Sequence, residues 1–443
     1  MSAAPAITAA AESLLEAFAP RAAEPPWLLE ARLAALGRFR ALGLPTPRLE
    51  AWRHTSLAPL AALRLGRPHP EEGAAAEALL ARAGDLSGPR LVFVNGRFRT
   101  DLSRTAGLPP GAVLLSLAAA IEEVPDLVRP HLARLARPEG DALAAISTAL
   151  FEDGVLLHLP AGAAVAPPIR ILHLSAAPGR TVAAFPRLLV VAGEGALATV
   201  VEHFLGADGE AGLVAPVREV VLADGARLEH YLFQEEGLDA IHLGAVHVEA
   251  RAGARFSSHA LSLGGRIARA EVHARLTGEG AELHLSGLGM ADGDRLTDTL
   301  AVVEHAAPRC TTTQVFKAVL DGRARGVFNG YVRVRPGAQK TVAHQASSSL
   351  LLSDDAVVTT RPQLEILADD VKCGHGGTVG QLDPTALFYL RSRGLPEAAA
   401  RGLLILAVAA EMVDRVRPAP LRARARAIVA SRLPGGARLL EAA

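Results

Sequence analysis

The most constraining feature of this sequence is a long run of short strand patterns interrupted at a nearly fixed interval. From Gly154 to about Val371, short alternating or apolar runs such as Val155 to Leu159 are separated by Gly, Asp and Ala. A Gly-Ala pair followed by a strand pattern recurs at steps of 33, 30, 28 and 27 residues, and once more after 57, which is about two steps. The glycines of these pairs are Gly162, Gly195, Gly225, Gly253, Gly280 and Gly337. Such a period is typical of stacked units that bury a shared core with their neighbours.

This repeat predicts a mainly β protein with a β-solenoid core, in which each strand pairs with the equivalent strand of the next coil. Aromatic residues make up only 4% of the chain, which suits thin, repetitively packed layers. A β-sandwich or a barrel also produces short strand patterns and stays open as the alternative. Asn329-Gly330, between two apolar pairs, predicts a hairpin or a tight corner.

The segment before the repeat carries helical patterns. Ala11 to Ala19 and Trp27 to Ala41 have apolar residues at three- and four-residue spacing. Val92 to Phe98 contains Asn-Gly between short apolar runs and predicts a hairpin, after which the helical pattern returns from Pro125 to about Leu150. Residues 1–150 are therefore predicted to form a mainly helical N-terminal domain.

The segment after the repeat is helical again. Helices are predicted from Pro384 to Arg393, from Pro396 onward, and from about Pro420 to Arg432. The second helix is apolar over more of its circumference than one buried face needs, which suggests contact with a partner protein. We therefore expect a β core at residues 151–380 and a helical C-terminal domain at residues 381–443.

The charge balance and the termini limit the partners and the location of the protein. The 46 Lys and Arg residues equal the 46 Asp and Glu residues, so nucleic acid and anionic membranes are not expected as partners. The first ten residues lack the basic region of a signal peptide. The longest apolar run, Leu403 to Ala410, stops at Glu411 and is too short to span a bilayer. A soluble, cytoplasmic protein is expected.

The chain has two cysteines, Cys310 and Cys373, which suits a reducing compartment. Cys373 and His375 are two residues apart, so in an extended segment both side chains point to the same side and can reach one metal. They form half a site, because an iron–sulfur cluster takes four ligands, mostly thiolates. A buried cysteine beside a hydrogen-bonded histidine is the purely structural alternative.

Common catalytic motifs are missing from the sequence. It has no Walker A loop, no Gly-x-Ser-x-Gly elbow and no His-Glu-x-x-His helix. We therefore expect a protein without catalysis of its own. The alternative from another class is a metalloenzyme that uses Cys373 and His375 on an open metal site.

Six short sequence motifs toward the C-terminus resemble, in the same order along the chain, motifs of the SufB/SufD family of iron–sulfur cluster assembly scaffolds. The motifs are Gly326 to Gly330, Ala338 to Thr341, Leu350 to Ser353, Pro362 to Ile366, Asp369 to Gly380 and Leu387 to Gly394. Pro47 to Thr55 resembles an N-terminal motif of the SufD branch rather than the SufB branch. The chain departs from the family pattern at Val342, often acidic, at Gly374, more often Ser, and at His54, usually Tyr.

The resemblance implies a right-handed β-helix that pairs with a SufB homologue and carries a SufC ATPase through its C-terminal helices. It implies that ATP binds to SufC, and that this chain holds no cofactor stably but contacts a transient cluster at the partner interface. By position, His375 matches the family histidine proposed to hold the nascent cluster, with Cys373 as its neighbour. The residues expected to dock the ATPase are Phe388, Tyr389, Arg391, Arg393 and Gly394. A homodimer in the absence of SufB stays open.

Some residues have competing or no functional interpretations. Trp52 is interpreted as a packing anchor, because a large ring is a natural core plug in a protein of small residues. The stretch from Arg391 to Gly394 is either a helix end stabilised by its dipole or a contact to the ATPase. A role as the cluster-bearing SufB paralogue is disfavoured by the scarcity of cysteine and by the N-terminal motif. Cys310, Lys317 and Lys340 are left without a function.

Overall fold

The structure, a computed structural model, describes residues 8–17, 24–68, 74–84 and 87–433. Its centre is a β-solenoid of about eight turns between residues 154 and 380. The strands are β1 (Arg90–Val94), β2 (Arg97–Phe98), β3 (Val113–Ser116), β4 (Gly154–Leu159), β5 (Ile169–Ser175), β6 (Val182–Ala184), β7 (Arg187–Ala192), β8 (Leu197–Gly206), β9 (Gly212–Val214), β10 (Val217–Leu222), β11 (Arg227–Glu235), β12 (Ile241–Ala250), β13 (Arg255–Ser262), β14 (Ile267–Leu276), β15 (Glu282–Ala291), β16 (Leu296–His305), β17 (Thr311–Leu320), β18 (Arg325–Val334), β19 (Val342–Leu351), β20 (Val357–Ile366) and β21 (Lys372–Gly380).

The strands form two sheets that face each other. Sheet 1 has the order β2-β1-β5-β8-β11-β13-β15-β17-β19-β21, and sheet 2 has the order β20-β18-β16-β14-β12-β10-β7-β4-β3. Neighbouring strands from β4 onward are parallel, and the chain returns to the same sheet once per coil. The structure therefore confirms the predicted solenoid and excludes the sandwich and the barrel.

The core lies between the two sheets and is built from columns of equivalent residues. One column in sheet 2 stacks valines and one alanine in register from coil to coil. Its members are Val190, Val220, Val248, Ala274, Val303 and Val332, all buried. Because successive side chains of a strand point to opposite faces, alternate residues fill the interior and the others face outward.

The recurring Gly-Ala pairs form one corner of the solenoid. Gly195, Gly225 and Gly253 have φ angles of 64°, 68° and 61°, in the left-handed region that glycine adopts without strain. The amide N–H of each donates to a carbonyl of the next coil; Gly195, for example, donates to Asp224 at 2.8 Å. The alanine that follows is buried, as Ala226 is. The repeat seen in the sequence is thus a ladder of turns.

The assignment of Gly337 to this ladder is wrong. After Gly280 the left-handed positions are taken by Arg309 and Lys340, with φ angles of 58° and 62°, whose N–H groups donate to Gln339 and Asp370. The ladder therefore continues without the gap of two steps. A residue with a Cβ is strained in this conformation by about 1–2 kcal/mol, so glycine is the residue expected there. The Gly-Ala pattern therefore missed the turns at Arg309 and Lys340.

The predicted corner at Asn329-Gly330 is also wrong. Both residues lie inside β18, where Asn329 pairs with Leu300 and Gly330 with Ala301. Gly330 faces the interior, and a Cβ there would lie 2.9 Å from the ring of Phe328. This glycine therefore provides packing space rather than a turn.

Most of the N-terminal region packs on the outer face of sheet 2, whereas its helix Ala74–Arg82 packs on the outer face of sheet 1. Its helices are α1 (Ala9–Glu16), α2 (Pro26–Leu42), α3 (Ala58–Ala61), α4 (Ala74–Arg82), α5 (Leu117–Glu123), α6 (Pro125–Val128) and α7 (Ala142–Leu150), with 3-10 turns at Glu50–Trp52 and Thr100–Leu102. Leu117 and Ile146 share an apolar cluster with Leu156 and Leu189 of the sheet. The hairpin predicted at Val92 to Phe98 is confirmed as β1 and β2. Of the first predicted helix, residues 18 and 19 lie outside the described residues.

The helix predicted from Pro125 to about Leu150 is interrupted. Between α6 and α7 the chain turns away from helical geometry, and the backbone N–H groups of Ala133, Leu135 and Ala136 donate to the Glu219 carboxylate at 2.7–3.1 Å. A carboxylate on β10 thus replaces the hydrogen bonds that a continuous helix would make within itself.

The C-terminal region forms α8 (Pro384–Ser392), α9 (Glu397–Val413) and α10 (Ala419–Ser431), as predicted within one to three residues. Helices α9 and α10 fold back over the outer face of sheet 1, where Ile405 and Met412 share an apolar cluster with Tyr231 and Val319. On α9, Leu403 stays 38% exposed. Among the described residues, no helix is long and apolar enough to cross a bilayer.

Candidate functional site

The predicted Cys373 and His375 lie on β21, the last strand of sheet 1. In register they stand opposite Ala343 and Gln345 of β19, both buried in the interior. The two side chains therefore share the inward face of the strand, as the two-residue spacing predicted. Because β21 ends the sheet, this face lies at the open end of the solenoid rather than in its middle.

The two residues differ in exposure. Cys373 is half-buried and packs against the apolar core between the sheets, and burial raises the pKa of its thiol above the ordinary value. His375 is exposed. A metal or cluster binds the thiolate, so Cys373 must lose its proton on binding, while His375 is open to a second molecule.

The surroundings of this pair are polar and open. Beneath His375 in the same column lie Gln345 and Gln314, both fully buried, whose amide groups have no hydrogen-bond partner among the described residues. A Cβ added to Gly374 or Gly376 would meet no atom within 4 Å. The strand that carries the candidate ligands is therefore not covered by the part of the chain that the structure describes.

No complete metal site is formed in residues 8–17, 24–68, 74–84 and 87–433. No group of three or more His, Cys, Asp or Glu side chains there could hold a metal ion. Lys340 at the neighbouring turn pairs with Asp370, and Lys372 is exposed on β21. The pair of Cys373 and His375 thus supplies two potential ligands.

The predicted docking residues lie together on and just after α8, which has no buried residue. Phe388 and Tyr389 are 72% and 56% exposed. Arg393 packs over the Tyr389 ring at 5.1 Å and donates to its hydroxyl, and Arg391 pairs with Glu397 at 3.5 Å. Gly394, at φ 91°, ends the helix. Two large apolar side chains therefore face solvent beside two arginines.

Trp52, interpreted from the sequence as a packing anchor, is 7% exposed and shares the apolar cluster of the N-terminal helices. The guanidinium of buried Arg269 lies 3.9 Å from the centroid of its ring and donates to the Ala51 carbonyl. Burial alone would raise the pKa of the neighbouring Glu271, but Arg269 holds it at about 2. An ion-paired arginine thus joins the N-terminal motif to β14, a contact that no local sequence pattern signals.

The residues left without a function have structural positions. In the last two turns of the corner ladder, Cys310 follows Arg309 and Thr341 follows Lys340. Both are buried, in the position that alanine occupies in the earlier turns. Lys317, on the outer face of sheet 1, pairs with Glu411 of α9 at 2.6 Å and so ties the helices to the sheet.

The protein is a β-solenoid with helical regions on both outer faces, and its last strand carries a thiol and an imidazole. Two family models cover most of the chain. Residues 21–171 match the SufBD protein N-terminal region, and residues 173–408 match the SufBD core domain of SUF system FeS cluster assembly. The chain belongs to the SufBD family of iron–sulfur cluster assembly proteins.

Individual relatives place the chain near SufD within this family. An iron–sulfur cluster assembly SufBD family protein of Synechocystis is 31% identical over 418 residues, which cover 91% of each chain. The iron–sulfur cluster assembly protein SufD of Escherichia coli is 31% identical over 89% of this chain and 91% of its own. SufD of Bacillus subtilis is 25% identical over 91% and 94%. The chain is thus SufD-like over nearly its whole length.

Proposed function

We propose that this protein is a non-catalytic, cytoplasmic scaffold subunit that pairs with a SufB homologue, carries a SufC-type ATPase and helps to hold a nascent iron–sulfur cluster. Membership of the SufBD family assigns the chain to the SUF system of iron–sulfur cluster assembly, and a scaffold role fits that family. The observation that supports pairing with a SufB homologue and a shared cluster site is the open end of the solenoid, where Cys373 and His375 lie.

Both sheets end there in long strands with one free edge in the described part of the chain. Strand β20 pairs with β18, and β21 pairs with β19, but among the described residues neither has a partner on its other side. Such edges readily pair with another chain. The core also reaches solvent at this end, where Val379 is 55% exposed and Ile366 is 40% exposed. A second β-solenoid with a matching end would cover both features.

Cys373 and His375 are then one side of a shared site. An iron–sulfur cluster takes four protein ligands, of which this pair supplies at most two. The partner chain would supply the others, and the cluster would be a cargo that leaves rather than a resident cofactor. His375, the more exposed of the two, is the principal ligand on this side, with Cys373 as its neighbour.

The ATPase would dock on α8. Phe388 and Tyr389 offer aromatic area, Arg391 and Arg393 offer charge, and Gly394 fixes the end of the helix. Aromatic and arginine side chains are enriched at protein interfaces. ATP would bind to that partner. The metalloenzyme alternative gains no third ligand from the described residues, and we do not propose it.

The test is co-expression with the SufB and SufC homologues, followed by affinity purification through a tag on this chain. We expect all three proteins to purify together with bound iron and sulfide. The variant His375→Ala should leave the complex intact and lower its iron and sulfide content severalfold.

The matched control is His344→Ala, which removes an exposed histidine from β19, directly beside Gly374. Its cluster content should equal that of the parent. Failure of the partners to purify together would refute the proposed assembly, and an unchanged cluster content in His375→Ala would refute the ligand assignment.

A further inference from the structure

A groove separates the Pro47–Thr55 motif from the outer face of sheet 2. It has a volume of about 530 Å³, within the range of small-molecule sites. One wall is the segment from residue 47 to residue 59, and the other is formed by the first residues of β14, β16, β18 and β20 and the turns before them. Val357 and Thr359 of its lining lie on β20, so the groove extends along the outer face of sheet 2 to the open end of the solenoid.

The charged residues in this groove are mostly cationic. Arg53, Arg266 and Arg325 line it beside His54, with Asp294 as the carboxylate. Asp294 already accepts two hydrogen bonds from Arg323, at 2.7 and 2.9 Å. Within the described ranges, neither Arg266 nor Arg325 forms an ion pair. Arg53 pairs with Glu50 at 4.0 Å, so the positive charge left without an ion pair in the described residues is that of Arg266 and Arg325.

The floor of the groove is mainly apolar, with one arginine in it. Ile267 pairs in register with Leu296, Leu296 with Arg325, and Arg325 with Val357, so these side chains form one row across four strands. Val357 is 47% exposed. A ligand that lies on this row and reaches the arginines needs both an apolar body and an anionic group.

The groove is preformed because its N-terminal wall is fastened at several points. The Trp52 ring packs on Arg269, the Thr55 hydroxyl donates to Asp298, and Glu50 pairs with Arg361. Trp52 and Thr55 thus face the solenoid, while Arg53 and His54, which lie between them, line the groove. A preformed site avoids the entropy cost of ordering its walls when a ligand binds.

We propose that this groove binds a small molecule that carries phosphate groups on an apolar body. Several guanidinium groups on two walls match the oxygens of a phosphate chain better than a single carboxylate, because each guanidinium offers a planar fork of N–H donors. The apolar row beneath them provides the surface for the body of the ligand.

The test is titration calorimetry of the purified full chain with pyrophosphate and with ADP, without metal, at about 0.15 M ionic strength. We expect both to bind at one site, and ADP more tightly because it adds an aromatic body. The double variant Arg266→Gln, Arg325→Gln should weaken both by at least about tenfold, since charge-assisted hydrogen bonds are lost.

The matched control is Arg309→Gln, Arg335→Gln, which removes the same charge from exposed arginines paired with Glu279 and Glu304. It should bind both probes like the parent. Equal weakening in the two double variants would show non-specific attraction and overturn the proposal. Absence of binding would overturn it as well, and so would groove variants that bind the probes normally but lose a partner protein, which would mark the groove as a protein interface.

Discussion

At the scale of single residues, the Pro47–Thr55 motif divides its side chains between two surfaces. Trp52 and Thr55 fasten the N-terminal region to buried Arg269 and Asp298, while Arg53 and His54 line a groove. The sequence predicted the burial of Trp52 from its size. It could not predict the partners, because Ala51 and Arg269 are 218 residues apart and the contact exists only after the chain has coiled.

The variant Trp52→Ala should lower the free energy of unfolding by about 3–5 kcal/mol, because it opens a large cavity and leaves the Arg269 guanidinium without the ring that covers it. Urea denaturation followed by circular dichroism measures the change. Leu49→Ala, an exposed neighbour in the same motif, should change the free energy by less than about 0.5 kcal/mol. Similar losses in the two variants would contradict the anchoring role.

At the scale of elements, the corner ladder shows what a sequence period reveals and what it hides. Gly-Ala pairs predicted the coil length because glycine adopts the left-handed conformation freely. Arg309 and Lys340 adopt the same conformation without a glycine, so Gly337 was assigned in their place. A one-dimensional pattern carries residue types but not dihedral angles. For the same reason Asn329-Gly330 predicted a turn inside a straight strand.

The ladder can be tested with two glycines that look alike in the sequence. Gly253 has a φ of 61°, whereas Gly337 is not in the left-handed region, and a Cβ added to either meets no atom within 4 Å. Gly253→Ala should therefore destabilise the protein by about 1–2 kcal/mol through backbone strain alone.

Gly337→Ala should be neutral or should stabilise by up to about 1 kcal/mol, since alanine restricts the unfolded chain. Thermal or urea unfolding of both variants gives the difference. Equal destabilisation would mean that Gly337 belongs to the ladder after all.

At the scale of the whole molecule, the two ends of the solenoid differ in how far they are covered. The first coils are extended by β1 and β3 and covered by helices. In residues 8–17, 24–68, 74–84 and 87–433, the last coil leaves two strand edges unpaired and exposes apolar side chains. Strand alternation predicted that Cys373 and His375 share a side. The return of α9 over the outer face of sheet 1 had no signature in the sequence, because it depends on which outer face is free.

If the open end binds another solenoid, the purified chain should associate with itself when SufB is absent. Val379→Glu places a charge in the apolar end and should weaken this association at least about tenfold by analytical ultracentrifugation, because an unpaired charge would be buried at the interface. Val342→Glu, the same change on β19 at a side chain 42% exposed, is the control and should associate like the parent. Equal effects would exclude the open end as the contact.

The one-sided support of the last coil also has a dynamic consequence. In a solenoid, each coil owes much of its stability to the interfaces with its neighbours. In the part of the chain that the structure describes, the coil of β20 and β21 has a neighbouring coil on one side only. Its amides should exchange with solvent at a lower opening free energy than those of the middle coils. A partner that caps the end would then do more than complete a set of ligands. It would set how long the strand that carries Cys373 and His375 stays folded, and so couple assembly of the complex to the lifetime of the site.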